Sequence, residues 1–278
     1  MQLVATITDL EKALAHRRRI ALVPTMGNLH AGHLSLIQIA RSRGDIVVAS
    51  VFVNPLQFAP TEDFASYPRT LDRDCQLLAT AGCDIVFAPS EREMYPVAQT
   101  YTVRPPANLA DILEGNVRPG FFTGVCTVVL KLFNIVRPDI AVFGKKDYQQ
   151  LLVIRNMVQQ FNLPIDVVAG GTVRSPTGLA LSSRNGYLND LELQEAGHLN
   201  AALRETSEQV RAGRTDWSML ERGAIQRLTQ RGWSPDYIAI RRQANLDEPA
   251  ADEPLVVLGA ARLGGTRLID NIELALGT

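Results

Sequence analysis

The sequence predicts an α/β chain: a doubly wound parallel sheet over residues 1–179, then a smaller α+β domain over 180–278. Three observations carry this. Short apolar runs without period-two alternation recur in the first part, as in parallel strands covered on both faces. Helix-spaced apolar patterns lie between them. After "VRSPTGLALSSRNGYL" the texture changes to two helical stretches and then to short strands around Gly264-Gly265.

The opening "MQLVATITDLEKALAHRRR" reads as a short strand and an amphipathic helix; its late basic triplet and missing apolar stretch do not suit a signal peptide. Strands are expected at Ile20–Pro24, Ile46–Val53, Asp84–Ala88, Ile140–Phe143 and Ile165–Ala169. Val125, Val128, Val129, Leu132, Phe133 and Val136 make one helical stripe, and periodicity alone leaves open whether it faces a core or a partner copy. Leu151, Ile154, Val158 and Phe161 make another over 145–161. Beyond the domain junction, 190–212 and 216–231 read as helices, the first closed by Gly213. "YIAIRR" and "LVVLGAARLGGTRLIDNIEL" read as strands.

Charge excludes some partners. With 28 basic and 29 acidic residues the net charge is −1, so no global field holds nucleic acid or an anionic membrane. No apolar run approaches the ~20 residues of a bilayer crossing. Cys75, Cys83 and Cys126 are an odd set without CxxC spacing; reduced thiols in a cytoplasmic protein are expected, not a disulfide framework or zinc site.

The chemistry concentrates after the strands. Ligands of doubly wound sheets bind beyond the strands' carboxyl ends. "PTMGNLHAGH" follows Ile20–Val23, "NPLQFAPTEDFASYPRT" follows Ile46–Val53, and "GKKDYQQ" follows Ile140–Phe143, so parallel pairing puts all three on one rim. In the first, Gly27 and Gly32 allow a tight turn and a close ligand, and a helix starting near His33 offers free N–H groups to phosphate. His30 and His33, three apart, project to one side and donate to phosphate oxygens without a fixed charge. In the third, Lys146 neutralises charge growing on phosphate, with Asp147 and Gln150 beside it. The second supplies Asn54 and Gln57 as uncharged donors for a small hydroxy acid or amine, with Phe58 as an apolar wall. Asp72 and Asp74 are candidates for Mg²⁺ held with ATP phosphates. Ser182, Ser183 and Arg184 of "LSSRN" form a polar, basic loop suited to closing over phosphates.

"PTMGNLHAGH", "VFVNPLQF", "YPRT", "TVVLKLFNIVRPD", "FGKKDYQQ", "LSSRN" and "ARLGGTRLIDNIEL" together resemble the pantothenate synthetase (pantoate–β-alanine ligase) family, within the HxGH nucleotidyltransferase superfamily. The resemblance implies a Rossmann-like domain, a small C-terminal lid domain and a homodimer. It implies ligation of pantoate to β-alanine through a pantoyl adenylate, with release of pyrophosphate and AMP. Met26, Gly27, Asn28, Leu29, His30, Ala31, Gly32 and His33 would line ATP, with His30 and His33 at its phosphates and His33 the assigned proton donor. Gly144, Lys145, Lys146 and Asp147 match a second ATP segment, Lys146 at the α-phosphate and Asp147 at the ribose; Val173, Leu181, Ser182, Ser183 and Arg184 match the remaining contacts. Gln57 and Gln150 match pantoate-binding residues, Gln57 also facing β-alanine, and Asp74 matches a magnesium-associated carboxylate. The chain departs from the pattern twice: Phe121 stands where the family commonly has histidine, and Lys145 where it usually has glutamate. The histidines and Lys146 would equally serve another adenylyltransferase of the superfamily, and the two departures suit a nucleotide-binding module without chemistry.

Overall fold

The computed structural model describes residues 1–15, 18–59, 62 and 64–274. Arg17 of the basic triplet, and Pro60, Thr61 and Asp63 of "NPLQFAPTEDFASYPRT", lie outside them. The chain divides into two units, Met1–Lys145 with Val153–Gly171, and Lys146–Leu152 with Thr172–Thr278.

In chain order the first unit holds β1 (Gln2–Val4), α1 (Ile7–Ala13), β2 (Ile20–Thr25), α2 (Ala31–Arg41), β3 (Ile46–Val51), α3 (Leu71–Ala81) and β4 (Ile85–Phe87). Three one-turn helices follow, α4 (Glu91–Met94), α5 (Ala107–Ala110) and α6 (Glu114–Val117), then α7 (Phe121–Val136) and β5 (Ile140–Gly144). Helix α8 (Tyr148–Gln160) begins among residues of the second unit and ends in the first, which closes with β6 (Asp166–Gly170). All strand pairs are parallel, in the order β1-β4-β3-β2-β5-β6. The order reverses direction between β2 and β5, and a crevice at such a reversal is where doubly wound sheets bind ligands.

The apolar runs are continuous because both faces are covered. Ala21, Val23, Val47, Ala49, Val86, Ile140 and Val142 pack with Leu36, Ile37 and Ala40 of α2 and Leu78 of α3. Phe143, one residue on and so pointing to the opposite face, meets Phe133 of α7 edge-on at 6.4 Å. All six members of the α7 stripe are at most 6% exposed, so within this unit they are core. In the α8 stripe, Leu151, Ile154 and Val158 are buried, but Phe161 lies past the helix end and is 55% exposed. Strand β2 runs one residue beyond Pro24. Proline has no N–H for the ladder, and the Thr25 hydroxyl supplies a donor to the facing Ser50 carbonyl at 2.8 Å.

The second unit continues with α9 (Asp190–Glu195), α10 (His198–Arg211), α11 (Trp217–Gln230), β7 (Ser234–Arg242), β8 (Leu255–Leu263) and β9 (Thr266–Leu274). The three strands form an antiparallel sheet whose core includes Leu199, Leu203, Leu220 and Leu228 of α10 and α11. The stretch 190–212, expected as one helix, is two. The break falls at Ala196–Gly197, where glycine has low helix propensity and Glu195 is turned to the Arg231 guanidinium (2.7 Å) and the Trp233 indole N–H (3.0 Å). All three cysteines are free; burial pushes Cys83 up to about 11 and Cys126 to about 12, so both stay protonated and inert. Among the described residues no helix is long and apolar enough to cross a membrane.

Phe133→Ala removes a ring buried between α7 and the sheet. Urea unfolding should register a loss of about 3–5 kcal/mol. A loss no larger than that of a surface substitution would mean that α7 is not a core element.

Candidate functional site

The loop from β2 to α2 is built by backbone conformation and one buried carboxylate. Gly27 and Asn28 are consecutive left-handed residues, with φ of 83° and 51°. They turn the amides of Asn28 and Leu29 towards Asp74 of α3. Asp74 Oδ2 accepts from Asn28 N–H at 2.9 Å and Oδ1 from Leu29 N–H at 2.8 Å. The Thr70 hydroxyl donates to Oδ2 at 3.1 Å. Asp74 is fully buried.

Asp74, expected as a magnesium-associated carboxylate, has both oxygens facing loop amides and is shut off from solvent in this fold. Asp72, two residues earlier on α3, is exposed. Among the described residues no group of three or more His, Cys, Asp or Glu is placed to hold a metal ion.

Helix α2 starts at Ala31, two residues before the expected start. His30 is its N-cap, and the two histidines cap reciprocally. His30 Nδ1 accepts from Gly32 N–H at 3.1 Å, and His33 Nδ1 accepts from His30 N–H at 3.3 Å. The rings sit 4.1 Å apart, centroid to centroid. A nitrogen that accepts carries no proton, so in this arrangement each neutral ring has its proton on Nε2. The pair thus serves as the N-cap of α2.

Gln57 joins the same loop. It ends a single 3-10 turn, Pro55–Gln57, and its Nε2 donates to Met26 Sδ at 3.0 Å. Asn54 orients it from behind. Asn54 Nδ2 donates to Gln57 Oε1 and to the Gly124 carbonyl, both at 3.2 Å, while Asn54 Oδ1 accepts from the Tyr95 hydroxyl at 2.7 Å and from Leu56 N–H at 3.3 Å. Asn54 is therefore not a ligand donor as expected; it is 1% exposed and its amide is engaged at both ends. Burial pushes the Tyr95 phenol up to about 12, so it remains a hydrogen donor at all working pH values. The turn lies so close to α7 that a side chain at Gly124 would collide with the Leu56 carbonyl.

Gly144 ends β5 and Lys145 follows it in the same unit, so the segments after β3, β2 and β5 leave three adjacent parallel strands at one edge. The other expected residues belong to the second unit. There Lys146 and Ser182 line one cavity with Asn200 and Asp270. Asn271 Nδ2 donates to the Lys146 carbonyl at 2.9 Å. Arg174 grips Asp270 through two N–H groups at 2.6 and 2.8 Å, and Asn200 donates to the same carboxylate at 3.0 Å. Val173 and Leu181 meet through Leu181 N–H to Val173 O at 3.0 Å. Ser182 caps the 3-10 turn Ser183–Tyr187 and so fixes the backbone of Ser183 and Arg184. Asp147 is exposed and Gln150 half-buried. Sequence reasoning missed Arg118, Arg174, Asn200 and Asp270; their partners lie tens of residues away, and no local pattern announces them.

Known proteins match the chain along its length. The family model for pantoate-beta-alanine ligase matches residues 2–273. A pantothenate synthetase from Leptothrix cholodnii is 60% identical over 285 residues, covering 98% of this chain and 100% of the relative. The crystal structure of a pantothenate synthetase from Thermus thermophilus superposes with a TM-score of 0.93 at 45% identity, covering 98% of this chain and 99% of that one. A pantoate-beta-alanine ligase from Francisella tularensis, complexed with beta-gamma ATP and beta-alanine, superposes with a TM-score of 0.84 at 34% identity over 98% and 97% of the two chains.

Replacing Asp74 tests the loop. Asp74→Ala orphans two buried amides, at about 1–3 kcal/mol each, and urea unfolding should show a loss of at least ~2 kcal/mol. Asp74→Asn, which keeps one acceptor, should lose less. Equal stability of both variants with the parent would free Asp74 from this role.

Proposed function

The chain belongs to the pantoate–β-alanine ligase family, and from that premise we propose that it condenses pantoate with β-alanine in two steps, the first of which consumes ATP. In the first, the pantoate carboxylate attacks the α-phosphorus of ATP, giving pantoyl adenylate and pyrophosphate. In the second, the β-alanine amine attacks the acyl carbon, giving pantothenate and AMP. The observation that carries this reading is the junction of Gln57 with the histidine loop through Met26, which joins the segments after the adjacent parallel strands β3 and β2. This junction supports reading Gln57 as an uncharged donor for a small acid and the histidines of the same loop as donors to phosphate.

Roles follow from local chemistry. Loop residues Met26 to His33 take the nucleotide, and His30 and His33 donate from Nε2 to phosphate oxygens. Protonating His33 further would put a proton on Nδ1 and break the His30 cap, so hydrogen-bond donation by the neutral ring is favoured over proton transfer. Gly144 and Lys145 flank the nucleotide, Lys146 stabilises charge on the α-phosphate, and Asp147 holds the ribose. Val173, Leu181, Ser182, Ser183 and Arg184 complete the ATP contacts. Gln150 and Gln57 bind pantoate. The Gln57 amide rests on a thioether, a weak acceptor that a carboxylate or hydroxyl outcompetes. Mg²⁺ is read as accompanying ATP, and no protein ligand or reaction step is assigned to it. A homodimer in the cytoplasm completes the reading; unpaired thiols suit that reducing compartment, and sedimentation tests the dimer.

The decisive experiment incubates the protein with ATP, pantoate and β-alanine, omitting each in turn, and measures AMP and pantothenate. Pantoate-dependent exchange of pyrophosphate into ATP without β-alanine is expected, because the first step needs no amine. AMP formation with a different acid only would overturn the substrate. His33→Ala and Lys146→Ala should each lower turnover by about 10²–10³ with the fold intact. Gln150→Ala should chiefly raise KM for pantoate; a large rise for ATP alone would move Gln150 out of the acid site.

A further inference from the structure

Phe121, the first residue of α7, is not idle. The Arg118 guanidinium carbon lies 3.7 Å from the Phe121 ring centroid, well inside the ~6 Å reach of a cation–π contact. Phe121 is itself set edge-on against Phe122 at 4.9 Å, and Phe122 is only 2% exposed. The aromatic platform is thus anchored in the core.

The other sides of Arg118 hold the segment that carries Gln57. Arg118 Nε donates to Glu62 Oε1 at 2.5 Å and Nη2 to Glu62 Oε2 at 2.8 Å, a two-pronged grip. Nη2 also donates to the Gln57 carbonyl at 3.1 Å. Glu62 Oε2 accepts in turn from Ala59 N–H at 3.1 Å. The Arg118 side chain is 16% exposed, so these contacts are partly shielded from water. One planar group therefore spans an anchored ring, the backbone of Gln57 and the carboxylate that accepts from Ala59 N–H.

We propose that Phe121 and Arg118 form a latch that fixes the position of Gln57, with Phe121 as a positioning residue for the acid and amine substrates. The ring orients the guanidinium plane, and the guanidinium orients the loop. In this latch both residues act through Gln57 and its segment. The inference rests on the functional reading above for its substrates, but the latch itself is readable without them.

The test uses the full-length chain. Phe121→Leu removes the aromatic face and keeps apolar bulk; Phe121→Tyr restores the face; Arg118→Lys keeps the charge, loses the fork and leaves the core untouched. Amide exchange at Ala59, followed by NMR, should quicken about three- to tenfold in Phe121→Leu and in Arg118→Lys, and return to the parent rate in Phe121→Tyr. KM for pantoate or β-alanine should rise by a similar factor in the same two variants, with KM for ATP within about twofold. Unchanged Ala59 exchange in both, or a tyrosine variant as impaired as the leucine one, overturns the latch. Failure of the parent protein to make pantothenate would overturn the functional reading, while the exchange experiment would still decide the latch.

Discussion

One buried carboxylate underlies the first unit's rim. Asp74 reaches from α3 to the amides of Asn28 and Leu29, two donors that the left-handed turn at Gly27-Asn28 leaves facing inward. Buried N–H groups without acceptors are costly, so the turn and the carboxylate require each other. Everything downstream inherits this. The turn sets where α2 begins, the start of α2 sets where His30 caps, and the cap sets which nitrogen of each imidazole carries the proton. The reach of Met26 to Gln57 depends on the same turn.

The histidine pair shows how a structural need and a chemical one share atoms. Helix N-termini leave orphan N–H groups, usually met by Ser, Thr, Asp or Asn. Here imidazole Nδ1 atoms do it, which leaves Nε2–H as the ring's donor. A capping aspartate would place a negative charge where a phosphate is proposed to lie. A capping serine would offer no second donor on the same rigid ring. A neutral histidine satisfies the helix at the positive end of the α2 dipole without adding a negative charge there.

The sheet was legible because burial on both faces writes continuous apolar runs, and because a parallel sheet forces loops after successive strands onto one edge. Hence Met26, the histidines and Gln57 were nominated together, and the Met26–Gln57 contact joins two of those segments. The pattern could not say what individual polar side chains do. Asn54 and Gln57 look alike in sequence, yet one is fully engaged by Tyr95, Gly124 and the turn while the other keeps a weak sulfur partner. The loop-holding role of Asp74 is hidden in the sequence because the two amides it accepts from are 45 and 46 residues away and are backbone, which carries no sequence signature. The break in 190–212 was hidden because the apolar spacing continues across it; only Gly197 hinted at it.

The treatment of charge around Gln57 fits the proposed chemistry. A carboxylate that must attack phosphorus is made a poorer nucleophile by a tight ion pair, since a cation stabilises the lone pair that has to be given up. A neutral amide orients the same carboxylate with less of that penalty. The nearest cation in this network, Arg118, has its guanidinium edges occupied by the Glu62 carboxylate and the Gln57 carbonyl, and its face by the Phe121 ring. Its charge thus organises the loop instead of competing for the acid. An imidazole at position 121 would bring its own polar nitrogens and a titratable charge beside that guanidinium, whereas a phenyl ring offers an attractive face and no proton to exchange. Under the proposed latch, Phe121 keeps that cation still and occupied beside the residue proposed to bind the acid.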